Sequence, residues 1–209
     1  MGIYPPMGAA TPEFYREVFQ ESLAIIGAAG ADSLLIGSLA TRALLDMPLD
    51  EKEDIDALIR LEDADRLLDA FADEGYATYR RDPRWIFKAA RPDVTVDLIF
   101  RAGEKIEMDE EHLAHSMTTD LEGVSVRVPG PEDLIIMKAV FDGPDRPNRW
   151  YDALKLMQHL PMDWDYLARR GRAFAPRRVL SLLLYATDAG VDIPGPAVSA
   201  LVPSASERI

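Results

Sequence analysis

The fold of this chain is decided by two short stretches, LLIGS at residues 34–38 and DIDALI at residues 54–59. The first is an apolar run that ends in Gly37 and Ser38, the pattern of a buried strand followed by a tight turn into a helix. The second carries carboxylates at alternate positions, and side chains two residues apart on a strand lie on the same face. We therefore predict that Asp54 and Asp56 share one strand face near the start of a helix.

Two carboxylates on one strand face favour a cation between them, because like charges at short range repel each other. Oxygen ligands suit Mg²⁺, which usually keeps several waters and takes other ligands from substrate phosphates. The helix after Gly37 and Ser38 would offer exposed N–H groups and the positive end of its dipole to a phosphate. A metal site beside a phosphate site is typical of nucleotide chemistry.

Three later segments add candidate site residues. Residues 94–100 alternate so that Asp97 lies opposite an apolar face, and a hairpin around residues 91–93 would place it in the sheet beside the strand of Asp54. The stretch at 129–138 contains a proline turn that predicts the start of a helix over residues 131–141, which carries Lys138, and RWYD at 149–152 places Asp152 on the next helix. Each residue also has a structural interpretation: polar strand surface for the aspartates, a snorkelling surface position for Lys138, and an ion pair within the helix for Asp152.

Taken in this order, the motifs resemble the DNA polymerase β-like nucleotidyltransferase superfamily. They are most similar to its small bacterial members, among them the AbiEii-like toxins and the antibiotic nucleotidyltransferases. The resemblance covers roughly residues 30–160. It implies an α/β (α+β) fold, with a nucleotidyltransferase core made of a short mixed β-sheet flanked by helices and a C-terminal helical subdomain.

The resemblance also implies the roles of the site residues. Two Mg²⁺ ions would be held by Asp54, Asp56 and Asp97, which would act in catalysis together with Lys138. The NTP substrate would be bound by Gly37, Ser38, Lys52, Lys138 and Asp152. Ser38 has a structural alternative as a helix N-cap, and Lys52 is the basic residue within an acidic stretch at residues 50–53.

The expected reaction is transfer of a nucleoside monophosphate from an NTP to an acceptor hydroxyl, with release of pyrophosphate. An AbiEii-like toxin that modifies RNA, plausibly tRNA, and has a cognate antitoxin protein as a partner is the first interpretation. The second is an aminoglycoside or other small-molecule nucleotidyltransferase, because an acidic surface suits a polycationic acceptor. The third is a catalytically silent regulator or antitoxin with this fold.

The composition of the chain excludes several other classes of protein and of site. The 209 residues carry a net charge of −13, which argues against indiscriminate nucleic-acid binding, and the absence of cysteine excludes disulfides and thiolate metal sites. No apolar run approaches the ~20 residues of a membrane span, so a cytoplasmic protein without membrane contact is expected. His112 and His115 lack the further ligands of a zinc site.

The chain order predicts a domain organisation. We expect a loose leader at residues 1–10, the α/β core at 11–128, the helical subdomain at 129–194, and a flexible tail at 195–209. The acidic core segment at 46–75 contrasts with a mildly basic stretch at 142–180. This contrast either orients a phosphate-bearing acceptor or is solvated surface.

Overall fold

Helices and strands alternate in the first part of the chain, and helices alone follow the last strand. The computed structural model describes residues 10–50, 53–141 and 148–206. The strands are β1 (Ser33–Leu35), β2 (Ile55–Ile59), β3 (Ala77–Asp82), β4 (Ile86–Arg91), β5 (Val94–Ile99), β6 (Met117–Leu121) and β7 (Val124–Val128). The helices are α1 (Pro12–Ala28), α2 (Gly37–Leu44), α3 (Ala64–Asp73), α4 (Glu110–Ala114), α5 (Pro131–Phe141), α6 (Asn148–His159), α7 (Trp164–Phe174), α8 (Pro176–Asp188) and α9 (Gly195–Ser206).

Five strands form one mixed sheet in the order β1-β2-β5-β4-β3. Strands β2 and β5 are parallel, and the other neighbours are antiparallel. Strands β6 and β7 form a separate antiparallel pair. The predicted α/β fold with a short mixed sheet and flanking helices is confirmed, and so is the hairpin of β4 and β5.

The sheet forms where the sequence alternates apolar residues with polar ones. The apolar side chains of β2 and β5 are buried, among them Ile55, Leu58, Val96 and Leu98. Helix α1 begins as its sequence predicts, since the Thr11 hydroxyl accepts a hydrogen bond from the Phe14 N–H and proline follows at the first helical position. Helices α1 and α3 pack against each other and contact the sheet.

The C-terminal segment differs from the prediction of a flexible tail. Residues 195–206 form α9, which packs against α7 and α8, and residues 207–209 lie outside the described part of the chain. Burial of Ala197 and Leu201, one helical turn apart, favours the helix despite the glycine and prolines around it. Among the described residues, no helix combines the length and apolar character that crossing a membrane requires.

A buried polar network joins the helices of the second half. The Arg170 guanidinium on α7 donates to Asp133 of α5 at 3.1 Å and to Asp109, just before α4, at 2.7 and 3.0 Å. The Tyr166 hydroxyl donates to the other Asp133 oxygen at 2.7 Å. Only 4% of Arg170 and 1% of Asp133 are exposed, so each charge depends on these partners. The network therefore fixes α7 against the helix that carries Lys138.

Removing the Tyr166 hydroxyl should weaken this network. In Tyr166→Phe, the Asp133 carboxylate loses one of its donors in a buried site, and we expect the free energy of unfolding to fall by roughly 1–2 kcal/mol. Urea unfolding followed by circular dichroism measures the change. The matched variant Tyr185→Phe removes the same atom from a half-exposed side chain on α8 and should leave stability unchanged. Equal effects of the two changes would contradict the role of the hydroxyl.

Candidate active site

A cleft of about 1090 Å³ lies between the sheet and helices α2, α5 and α6. Its lining contains every predicted site residue that the structure describes: Gly37, Ser38, Asp54, Asp56, Asp97, Lys138 and Asp152. These residues come from distant parts of the chain. Lys52, predicted to bind the nucleotide, lies outside the described residues. The fold therefore brings the described candidates to one place, although their roles stay predictions.

Helix α2 begins at Gly37, two residues earlier than predicted. Its N-cap is Ile36, which gives no side-chain cap hydrogen bond, so the interpretation of Ser38 as the N-cap is wrong. Ser38 instead lies in the first turn and lines the cleft. The N-terminal end of α2 thus meets the cleft without a side-chain cap, and its first N–H groups are suited to bind an anion.

Position 37 favours glycine for two reasons, its backbone conformation and its closeness to Asp56. Its φ is 70°, in the left-handed region that favours glycine, and a Cβ atom there would lie 2.2 Å from Oδ2 of Asp56. The two segments are also hydrogen-bonded at this point, since the Ile36 N–H donates to the Asp56 carbonyl oxygen at 2.8 Å. The helix start and the carboxylate strand therefore touch, and a side chain at position 37 would have to displace the Asp56 carboxylate.

Two of the three predicted carboxylates are cross-strand neighbours. Asp56 on β2 pairs in register with Asp97 on the parallel strand β5, and Asp97 is only 6% exposed. Burial and, next, the charge of Asp97 raise the pKa of Asp56 to about 7, while Arg149 opposes this shift. Asp54 is exposed, and it lies immediately before β2 rather than within it. The carboxylates are thus crowded enough for a cation to stabilise them.

A lysine that the sequence analysis did not select lies on the other side of Asp97. Lys88 on β4 is the register partner of Asp97, and its Nζ donates to the two carboxylate oxygens at 2.5 and 2.7 Å. The signal was present in the hairpin, since a two-residue loop at Pro92 and Asp93 pairs position 88 with position 97. The register of the hairpin is thus what identifies Lys88 as the partner of Asp97.

The carboxylates suit a divalent ion in the chemistry of their oxygen atoms. Within the described ranges, no set of three or more His, Cys, Asp or Glu side chains is grouped as metal ligands. Lys88 holds Asp97, but Asp56 and Asp97 are adjacent, Asp54 lines the same cleft, and all three offer the oxygen ligands that Mg²⁺ prefers. The raised pKa of Asp56 reflects a carboxylate site that a cation would stabilise. The donor set therefore fits Mg²⁺.

Lys138 connects three helices at the cleft wall. Its side chain on α5 is almost fully buried, and its Nζ donates to Asp152 of α6 at 3.0 Å and to the Gly37 carbonyl oxygen of α2 at 3.4 Å. Burial lowers the pKa of Lys138, and the Asp152 carboxylate opposes that shift. The alternative interpretation of Lys138 as a snorkelling surface residue is therefore wrong, and its predicted role at the nucleotide stays a prediction. The lysine points its charge at the start of α2, where a phosphate would bind.

The charges that line the cleft balance. Among the described residues, the lining holds six cationic side chains and six anionic ones. The cationic side chains that are not among the predicted site residues are Arg42, Arg81, Lys88, Lys155 and Arg149, which begins the RWYD stretch. Arg42 is held by Asp50 at 2.8 Å, and the Lys155 ammonium lies 4.4 Å from the centre of the Tyr151 ring. A triphosphate entering a lining of zero net formal charge brings an excess of negative charge that metal ions can neutralise.

Comparison with solved structures shows that other proteins share this fold. An antigenic nucleotidyltransferase-like protein from Paracoccidioides brasiliensis has a TM-score of 0.55 at 14% identity, over 92% of this chain and 94% of that one. The lincosamide antibiotic adenylyltransferase LnuA bound to lincomycin has a TM-score of 0.52 at 13% identity, over 71% and 98%. The antibiotic-resistance factor ANT(2'')-Ia in solution has a TM-score of 0.50 at 18% identity, over 90% and 89%.

At identities this low, structural likeness shows the fold alone. No curated protein matches the sequence significantly. The family model described as "uncharacterised nucleotidyltransferase" matches residues 37–189, from the first residue of α2 to just beyond the end of α8. That range takes in the described cleft residues from Gly37 to Asp152 and most of the chain. The chain therefore belongs to this family of nucleotidyltransferases.

Proposed function

We propose that this nucleotidyltransferase moves a nucleoside monophosphate from an NTP to an acceptor hydroxyl in a Mg²⁺-dependent reaction that releases pyrophosphate. The observation that supports this most directly is the row of Asp56 and Asp97 on adjacent strands, next to the uncapped start of α2. One cleft thus combines carboxylates for a metal with N–H groups for a phosphate.

Each side of the cleft has a distinct role in this proposal. Asp54, Asp56 and Asp97 would hold Mg²⁺, which supplies activation of the acceptor hydroxyl and neutralises charge on the leaving pyrophosphate. The start of α2 and the Ser38 hydroxyl would bind the triphosphate, because both offer hydrogen-bond donors. Lys138, held by Asp152, adds positive charge at that end of the cleft. Asp97 would also assist the deprotonation of the acceptor.

Loss of the Ser38 hydroxyl tests the phosphate contact. Ser38→Ala should raise the KM for the NTP about tenfold, because one hydrogen bond to a charged group contributes roughly 1.5 kcal/mol. Steady-state kinetics with varied NTP measures this, and thermal unfolding checks that the fold is unchanged. Ser125→Ala, on the exposed face of β7, is the matched control and should leave KM as it is. An unchanged KM in Ser38→Ala would remove Ser38 from the nucleotide site.

A small molecule is the acceptor that the cleft supports best. Its volume of about 1090 Å³ is close to the upper end of ordinary ligand pockets, enough for a nucleotide and a compact acceptor. The chain has a net charge of −13, which opposes the binding of an RNA backbone and suits a polycationic compound such as an aminoglycoside. LnuA with its lincomycin and the resistance factor ANT(2'')-Ia share the fold. We therefore place an amine-bearing small molecule first.

An RNA acceptor is the second candidate. The pairing of Lys138 with Asp152 supports it, since these residues carry the resemblance to AbiEii-like toxins and are in contact at 3.0 Å. In that case tRNA would receive the nucleotide, and an antitoxin protein would be the cognate partner. A silent regulator is the least supported alternative, because the described candidate residues all line the cleft.

Label transfer separates these acceptors. The purified protein is incubated with Mg²⁺ and each α-labelled NTP, together with total tRNA in one series and with aminoglycosides or lincosamides in another. We expect label on a small molecule, for one preferred NTP, and none without Mg²⁺. Label on tRNA instead would establish the second candidate. No transfer to either, together with no NTP binding by calorimetry, would contradict the proposed function.

A further inference from the structure

Lys88 forms an ion pair with one of the three carboxylates that are proposed to hold Mg²⁺. Its ammonium contacts both oxygens of Asp97, and Asp97 lies beside Asp56 in the register of the sheet. Asp56, Asp97 and Lys88 thus form one row across strands β2, β5 and β4. The row therefore gives Asp97 a cationic partner from this chain before any metal ion is bound.

Burial strengthens the electrostatic attraction between Lys88 and Asp97. The side chain of Asp97 is 9% exposed and that of Lys88 is 21% exposed, so the ion pair is screened little by solvent. A carboxylate in that position needs a cation, and either an ammonium group or a divalent ion can meet the need. With Lys88 in place, both Asp97 oxygens already have a donor. Asp54 and Asp56 then remain as the carboxylates of the predicted set that Lys88 does not hold.

We propose that the Lys88 ammonium, through its ion pair with Asp97, prevents Asp97 from binding a metal ion until the nucleotide is bound. This inference rests on the proposed function, because it takes Asp54, Asp56 and Asp97 as the metal ligands. The nucleotide-free protein then binds one divalent ion, at Asp54 and Asp56. An arriving triphosphate offers Lys88 a second anion, and Asp97 becomes available as a ligand once the ammonium leaves it. Lys88 is therefore a positioning residue that makes the full metal site depend on the substrate.

The proposal is tested by metal binding without nucleotide. The metal-free protein is titrated with Mn²⁺ in a calorimeter, as wild type, Lys88→Met and Lys88→Gln. We expect one ion per wild-type chain, and a second ion, or at least tenfold tighter binding, in Lys88→Met. Lys88→Gln keeps a hydrogen-bond donor for Asp97 without the charge and should behave in the same direction, even if Lys88→Met is poorly folded.

The control removes one positive charge elsewhere. Lys105 is exposed and lies outside the cleft lining, so Lys105→Met should bind Mn²⁺ as the wild type does. Lys88 variants that bind Mn²⁺ as the wild type does, or more weakly, would overturn the proposal, and so would equal gains in Lys105→Met. An absence of binding in wild type and Lys88 variants alike would overturn it too. The label-transfer assay reports on the proposed function separately, since a wild type that transfers label while the Lys88 variants show no gain contradicts this inference alone.

Discussion

Replacing Asp56 with asparagine should abolish nucleotidyl transfer and leave the protein folded. Asp56 is the carboxylate at the centre of the site, next to Asp97 in register and in contact with Gly37. Asparagine keeps the shape that fits beneath Gly37 but removes the charge that would hold Mg²⁺. We expect the rate of transfer to fall about a thousandfold or more, which corresponds to roughly 4 kcal/mol of lost transition-state stabilisation.

The measurement is label transfer under saturating NTP and acceptor, with circular dichroism to confirm the fold. Asp69→Asn is the matched control, because it makes the same chemical change on the exposed side of α3, outside the cleft lining. It should retain wild-type activity. Activity in Asp56→Asn within tenfold of the wild type would mean that Asp56 is not a metal ligand.

The same variant tests the electrostatic state of the metal-free site. Burial raises the pKa of Asp56 from its ordinary 3.8 to about 7, so the folded protein binds more protons than the unfolded chain between these values. The free energy of unfolding of the metal-free wild type should therefore fall, through this group, as pH rises from about 4 to about 7. The contribution is at most a few kcal/mol, and Asp56→Asn should lack it. Urea unfolding in the presence of a chelator measures both proteins across this range.

Much of this site follows from the sequence because its main elements are local patterns. Alternation in residues 94–100 places Asp97 opposite an apolar strand face, and the structure confirms this arrangement. The hairpin of β4 and β5 then puts Asp97 next to β2, as expected from a turn at residues 91–93. Residues 131–141, whose start is marked by a proline, form α5 as predicted.

The features that the sequence did not reveal depend on strand register or on contacts between distant segments. Lys88 becomes notable only when the register with Asp97 is known, since the residue pattern within β4 alone does not pair it with a carboxylate. The burial of Lys138 likewise depends on α2 and α6 closing over it, which no pattern within α5 indicates. Helix α9 looks like a loose Pro-rich tail because its stability comes from packing against α7 and α8.

Substitution of Gly37 by alanine should damage both stability and activity, because this glycine meets two separate constraints. Its φ of 70° disfavours any Cβ atom, and that atom would also lie 2.2 Å from the Asp56 carboxylate. We expect the free energy of unfolding to fall by roughly 2–4 kcal/mol, and transfer to fall at least a hundredfold as Asp56 is displaced. Chemical unfolding and label transfer measure the two effects.

Substitutions at two other glycines separate the effect of the backbone conformation from that of the contact with Asp56. Gly123 has a φ of 83°, and no atom lies within 4 Å of the position that a Cβ atom would take there, so Gly123→Ala should cost only the backbone term of about 1–2 kcal/mol. Gly27 lies within α1 with open space and no positive φ, so Gly27→Ala should be neutral or stabilise the helix by up to ~1 kcal/mol. Both controls should keep full activity. A Gly37→Ala protein no less stable than Gly123→Ala would contradict the close contact with Asp56.

A double-mutant cycle tests that contact directly. In an Asp56→Ala background the carboxylate that meets the new Cβ is gone, so Gly37→Ala should then cost about as much as Gly123→Ala. The difference between the two backgrounds is the interaction energy of positions 37 and 56, and we expect about 1–2 kcal/mol. An equal cost in both backgrounds would place the strain in the backbone alone. A positive difference would instead show that the start of α2 and the carboxylate strand are held too close for a Cβ atom at position 37. This close approach is what places the proposed phosphate-binding N–H groups beside the proposed metal ligands.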